Sequence, residues 1–332
     1  MASHMTGIDI GEKTLKLAHF VNGNLKKFAS VDLPDNMISE GQIVSTEALS
    51  ALIKETAKSN GIPRKDAALV LPSSLVHVRT VKVPVMSESQ LRYNLPFEFK
   101  DYLTEDKNKY RFDFEVLETL TDAEGKATEQ RLFACAALKA EVEKFRVILA
   151  RAGYTLKFAV PEEYIYSKLF RGDCGITAPA LEVCALVDLG HTGTRIHILR
   201  KGEYDTRRVI DLGISTLEEI TAERSFTDVH MAQSYLRTNH DDIQSDKHCV
   251  EFYNRLSVEV LKAVNFYNYN NRELDLKDIY IIGGGALIKP LVDTIQQVTA
   301  MNIHSAAELM PAKDTSYEPA LAVRAFSCAA KL

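Results

Sequence analysis

Asp9 and Asp188 each close an apolar run, and each is followed two residues later by a glycine, Gly11 and Gly190. A carboxylate at the end of a buried strand, beside the exposed N–H groups of a glycine turn, suits a phosphate ligand. The amides cradle the oxygens, and the carboxylate can hold Mg²⁺, largely through water. One such turn says little, since Asp and Gly favour turns in any hairpin. Two of them in opposite halves say more, and a third glycine turn, Gly283-Gly284-Gly285, joins a strand to a helical stretch. Glycines there let a ligand approach the backbone and leave a helix N-terminus open to an anion. The dinucleotide fingerprint is excluded, because GxGxxG is not satisfied and no βαβ unit precedes the turn.

The elements that must position these groups form a weak internal repeat. Residues 7–20 and 185–199 both read as strand, polar turn, alternating strand, at a spacing of 188 − 9 = 179 residues, and a third strand follows each after Asn22-Gly23 and Lys201-Gly202. Ser45 caps a helix from Thr46 to Lys58, and 67–72 is a buried strand. The block 76–152 changes character. Strand 76–81, a polar helix opened by Ser87, strands 112–117 and 131–136, and a helix 139–152 predict a small α+β insertion. Leu91, Leu95 and Phe99 recur at four-residue steps there, interrupted by Pro96, and fit either core or a groove wall. Between Asp246 and Asn270 one stripe (Cys249, Tyr253, Leu256, Val260, Val264, Tyr267) predicts the longest helix. Strand 278–282 runs into the glycine turn and a helix 287–299, and 319–326 is a closing core helix with no basic face.

Composition bounds the rest. The 332 residues carry 40 Lys+Arg and 45 Asp+Glu, a net charge of −5, with 46% hydrophobic and 26% charged residues. That is a globular chain with material for two domains. Mild acidity supplies no electrostatic reason for nucleic acid or anionic lipid as a direct partner. Five widely spaced cysteines without a CxxC pair suggest reduced thiols rather than zinc or disulfides. No run approaches the roughly 18 apolar residues of a membrane span, and no signal peptide is read at the start. Residues 1–5 read like a cloning remnant and are set aside from the fold.

The order of these motifs resembles the actin-like ATPase superfamily, and more narrowly the FtsA-like PilM family of type IV pilus assembly. Residues 7–20, 71–84, 112–117, 149–154, 187–199, 256–267 and 279–286 carry the resemblance. It implies an α/β, ribonuclease H-like two-domain fold. The first domain would be 6–75 with 153–182, the inserted α+β subdomain 76–152, and the second domain 183–332. It also implies ATP and Mg²⁺ as ligands. Gly11, Lys13, Thr14, Gly190, His191, Thr192, Gly193, Gly213, Gly283, Gly284 and Gly285 would surround the nucleotide, with Asp9 and Asp188 on the metal. Glu259 and Lys262 match the Glu-x-x-Lys pair that contacts the nucleoside in several members. The implied role is a cytoplasmic scaffold that binds the N-terminal tail of a PilN-like single-span membrane protein, with other pilus proteins and self-association as further contacts.

Three departures bear on this reading. Glu12 would repel phosphate if it pointed inward, with Lys13 able to compensate. Gly213 is followed by Ile214 rather than a second glycine. Val160 stands where hydrolytic members orient water, leaving Glu162 and Glu163 as weak catalytic candidates, so binding is better supported than turnover. Alternatives within the superfamily are a small-molecule kinase, for which no acceptor-side Asp is evident, and a division or microcompartment chaperone-type protein. His191, His197, Tyr267 and Tyr269 read more simply as packing or surface residues.

Overall fold

The computed structural model describes residues 3–35, 37–39, 42–176, 181–311 and 317–330. The chain opens with a meander, β1 (His4–Ile10), β2 (Thr14–Val21) and β3 (Asn24–Asp32), followed by a short hairpin, β4 (Ile38–Ser39) and β5 (Gln42–Ile43). Helix α1 (Thr46–Ser59), capped by Ser45, leads to β6 (Asp66–Leu71). Then come β7 (Val76–Pro84), α2 (Glu88–Glu98), β8 (Tyr110–Thr121), β9 (Ala127–Leu138), α3 (Lys139–Arg151), β10 (Thr155–Pro161) and α4 (Glu162–Phe170). The second half runs β11 (Val183–Leu189), β12 (Thr194–Arg200), β13 (Glu203–Ile210), α5 (Ile214–Ser225), α6 (Val229–Thr238) and α7 (Lys247–Asn270). It ends with β14 (Asp278–Ile282), α8 (Lys289–Thr299), β15 (Asn302–Ser305) and α9 (Pro319–Ala329).

The two halves share one topology. The described strands form sheets in the orders β10-β6-β1-β2-β3 and β15-β14-β11-β12-β13, each an antiparallel meander joined to two parallel strands. The second and third strands of each meander are joined by matching turns. Asn22 and Gly23 have φ of 50° and 76°, and Lys201 and Gly202 have 52° and 76°, the positive pair of a tight hairpin whose twist suits the flanking strands. The sequence repeat is therefore a repeat of fold.

The insertion is built on the antiparallel sheet β7-β9-β8. Ser87 and Gln90 form a reciprocal capping box at the start of α2, and Leu91, Leu95 and Phe99 pack into the subdomain core with Val81, Tyr110 and Leu132. That stripe is core, and α2 continues through Pro96 to Glu98.

Four boundaries differ from the sequence reading. His4 and Met5, set aside as a remnant, pair with Val21 and Phe20 as the first residues of β1. Helix α3, read as closing the insertion, buries Phe145, Ile148 and Leu149 with Leu49 and Ile53 of α1 in the first half's core. Helix α9, read as part of the second domain, lies on β1, β2 and β6 and shares a core with Phe20, Ala68 and Val70. Gly7 permits that approach, since a Cβ there would meet the Ala325 carbonyl oxygen at 1.9 Å. The helix expected from Leu287 instead begins at Lys289, after a tight turn at Gly284–Leu287, because Pro290 suits the first helical turn. Cys135 is partly exposed, and Cys184, Cys249 and Cys328 are buried thiols.

Candidate functional site

Both aspartates sit buried at the ends of central strands, Asp9 on β1 and Asp188 on β11, and line one cleft of about 750 Å³ between the sheets. That size is ordinary for a small-molecule site. Register supplies each with a cation across the hairpin: Asp9 faces Lys16, and Asp188 faces Arg195. Lys16 Nζ reaches Asp9 Oδ2 at 3.1 Å, and Arg195 lines the cleft. A third cation arrives from α9. Arg324 Nε donates to Asp9 Oδ2 at 3.2 Å, while its Nη1 reaches Asp188 Oδ2 at 3.3 Å and Glu162 Oε2 at 3.4 Å. One guanidinium thus joins carboxylates from both sheets and from α4. Burial alone would raise the Asp9 carboxyl, but Arg324 and Lys16 hold it below its usual value.

The glycine turns frame this corner. Gly283 has φ +89°, and a Cβ there would stand 2.4 Å from Asp188 Oδ1, so only glycine fits between the strand end and the carboxylate. Gly11, Thr14, Gly190, His191, Gly283 and Gly284 line the cleft, as does Lys13, whose ammonium pairs with Asp35 at 2.6 Å. Thr192, Gly193, Gly213 and Gly285 lie outside the lining. The first turn touches the second through Glu12, whose Oε2 accepts from Thr192 Oγ1 at 2.6 Å and from the Thr192 N–H at 3.3 Å. A carboxylate of the chain itself therefore sits on an amide of the second glycine turn.

The expected nucleoside pair is not brought to the cleft. Glu259 and Lys262 bond each other at 2.8 Å on the outer side of α7, because its apolar stripe turns the opposite face into the core. That wall is supplied instead by Ile214 and Glu218 of α5 and by Gln233, Leu236 and Arg237 of α6. Arg237 also makes a two-pronged ion pair with Asp32 of β3, both bonds 2.9 Å, across the mouth of the cleft. Burial pushes the Glu218 carboxyl up to about 7.

Glu162 lines the cleft and Glu163 does not. Burial would raise Glu162, but His197 and Arg324 together draw it below its usual value. Burial and the charge of Glu162 push Glu163 up to about 8, although Arg207 Nη1 donates to it at 2.7 Å. His197, also fully buried, is pushed down to about 4 by burial. Val160 is buried on β10 outside the lining.

Arg324 occupies the place between the two aspartates where Mg²⁺ was expected. Mg²⁺ needs carboxylate or water oxygens in an octahedron at about 2.1 Å. One oxygen of each aspartate, Asp9 Oδ2 and Asp188 Oδ2, accepts from Arg324. No group of three or more His, Cys, Asp or Glu suited to a metal occurs among the described residues.

Sequence reasoning found the aspartates and glycine turns but missed Lys16, Arg195, Arg237 and Arg324. The first two had a signal: each stands seven residues after its aspartate, since 16 − 9 = 195 − 188 = 7. Arg324 had one as well, a lone charge among the apolar residues of 320–326.

Comparison with known proteins accords with this geometry. A solved PilM–PilN type IV pilus biogenesis complex contains a chain 20% identical, with a TM-score of 0.80 over 98% of this chain and 97% of that one. The ethanolamine utilization protein EutJ of Carboxydothermus hydrogenoformans is 13% identical, with a TM-score of 0.61 over 98% and 89%. An MreB of Spiroplasma citri bound to AMPPNP is 10% identical, with a TM-score of 0.54 over 98% and 94%. These establish the actin-like two-domain α/β fold. A comparison with curated proteins finds no match. The family described as type IV pilus assembly protein PilM matches residues 7–328, nearly the whole chain, and the protein belongs to that family.

Proposed function

We propose that the chain binds ATP in the cleft between its two sheets, and that the nucleotide sets the relative pose of the halves. The inserted subdomain then holds the short cytoplasmic tail of a PilN-like single-span membrane protein. The observation that carries this is the convergence of both Asp-x-Gly turns and the Gly283 turn on one cleft walled by both halves. A ligand touching both walls favours whichever pose fits it better and shifts the population accordingly. An MreB of the same fold bound to AMPPNP, and a PilM solved with PilN, support the two parts of the reading. The insertion offers a second hollow of about 310 Å³, lined by Met86, Leu91, Phe114 and Val116 together with the polar Glu88, Arg92 and Gln130. An amphipathic tail would find apolar anchors there. No helix among the described residues is long and apolar enough to cross a membrane, which suits recruitment to the inner face of the cytoplasmic membrane by the partner.

Turnover is not required. Val160 has no lone pair with which to orient water, and the Glu162 carboxylate is engaged by Arg324. The test is thermal and chemical denaturation with ATP. Ligand at a hundredfold its dissociation constant should add about 2.7 kcal/mol, and Asp188→Ala should lose most of that gain. An unshifted melting curve in the parent at millimolar ATP would refute the nucleotide part. For the partner, anisotropy of a labelled tail peptide should show binding that Val116→Glu weakens at least tenfold. An unchanged affinity would place the tail elsewhere.

A further inference from the structure

Resting on the nucleotide reading, we propose that Arg324 is the resident cation of this cleft: its guanidinium holds the place between Asp9 and Asp188, so the site takes a nucleotide without a divalent ion. The geometry is specific. Arg324 Nε and Nη1 address Asp9 and Asp188 from between them at 3.2 and 3.3 Å, and the same Nη1 satisfies Glu162 at 3.4 Å. A guanidinium spreads five N–H donors over a fixed planar fork, against three on the single nitrogen of a lysine, which suits carboxylates set apart around it. An ion bridging the aspartates would have to displace a guanidinium anchored on three carboxylates, and would leave it with Glu162 alone in a largely buried place.

Charge leads to the same conclusion. Asp9, Asp188 and Glu162 bring three negative charges to the corner, and Lys16, Arg195 and Arg324 bring three positive ones. The carboxylates therefore do not present the unbalanced negative field that draws a divalent ion. The triphosphate would be met by donors the chain already owns: the guanidinium N–H groups, Lys16, and the amides of the two turns. Arg324 stands on a helix packed on the first sheet and bonds Asp188 of the second, so its engagement is also felt by both halves.

The test is calorimetric binding of ATP to the intact protein in excess EDTA and in millimolar Mg²⁺, with Mn²⁺ alone titrated in parallel. The proposal requires dissociation constants within about threefold of each other in the two buffers, and no Mn²⁺ uptake by the parent. A tenfold or greater loss of ATP affinity in EDTA overturns it while leaving nucleotide binding intact. Saturable Mn²⁺ binding by the parent overturns it regardless of nucleotide. If ATP binds in neither buffer the nucleotide reading fails, and with it this proposal. Arg324→Lys keeps one charge but not the fork. Its ATP affinity should fall at least tenfold in EDTA and recover in part with Mg²⁺, whereas equal affinity in both buffers would count against the role of the fork. Circular dichroism of the variant separates that result from misfolding.

Discussion

Adjacent carboxyls in the first turn of α4 experience opposite surroundings. Glu162 faces Arg324 and remains a carboxylate, while Glu163, one residue on, is pushed up to about 8 by burial and by its neighbour's charge. Between its ordinary value and about 8, folded Glu163 retains a proton that the unfolded chain has released. Stability contributed by that proton is complete at low pH and is lost as pH rises through that window. Glu163→Gln should therefore gain on the parent in urea denaturation from about pH 5.5 to about pH 8, and a constant difference would refute the assignment. At this scale the sequence was legible where chemistry is local. Aspartate followed by a glycine turn is a short-range pattern, and so was found. Lys16 and Arg195 are set by hairpin register, which is readable once the shared seven-residue step is noticed. Arg324 approaches from the far end of the chain, and no local pattern specifies what a lone charge on a helix will meet.

Among the elements, the turn at Gly283 is constrained in both conformation and space. Its φ of +89° is unfavourable for any residue with a side chain, and the space a Cβ would need is filled by Asp188 and Leu189. Gly283→Ala should cost about 3 kcal/mol of stability, measured by chemical denaturation, and should weaken nucleotide binding as well. A loss under about 1 kcal/mol would mean that the turn relaxes freely. The meanders and α7 were readable because residue periodicity over a dozen positions fixes which face is apolar. The same periodicity does not say which sheet that face will cover. Helix α3 therefore reads as part of the insertion and α9 as part of the second half, although α3 completes the first half's core and α9 packs on the first sheet within a core that both halves share. Glu259 and Lys262 failed for a related reason: a matching spacing places two charges on one face, but the core decides where that face points.

Across the whole molecule, the halves are held at the cleft mouth by Arg237 on Asp32 and by Glu12 on Thr192, and at its floor by Arg324. The first two are exposed and individually weak. Beneath the cleft the halves share a hydrophobic core in which Phe20, Ala68 and Val70 join Leu186, Leu199 and Tyr280, so nucleotide should open and close the mouth around a floor that stays joined. The helix that bears Arg324 has another consequence. The first sheet leaves the ribosome early, yet the face of β1, β2 and β6 that α9 covers stays bare until Pro319–Ala329 is made, hundreds of residues later. A chain ending at Glu318 should accumulate in inclusion bodies or lose cooperative unfolding, and a peptide of residues 319–332 added in trans should restore a single melting transition. A sharp two-state melt of the shortened chain alone would contradict this. During synthesis, then, the first sheet would carry an apolar face that waits for helix α9 to cover it.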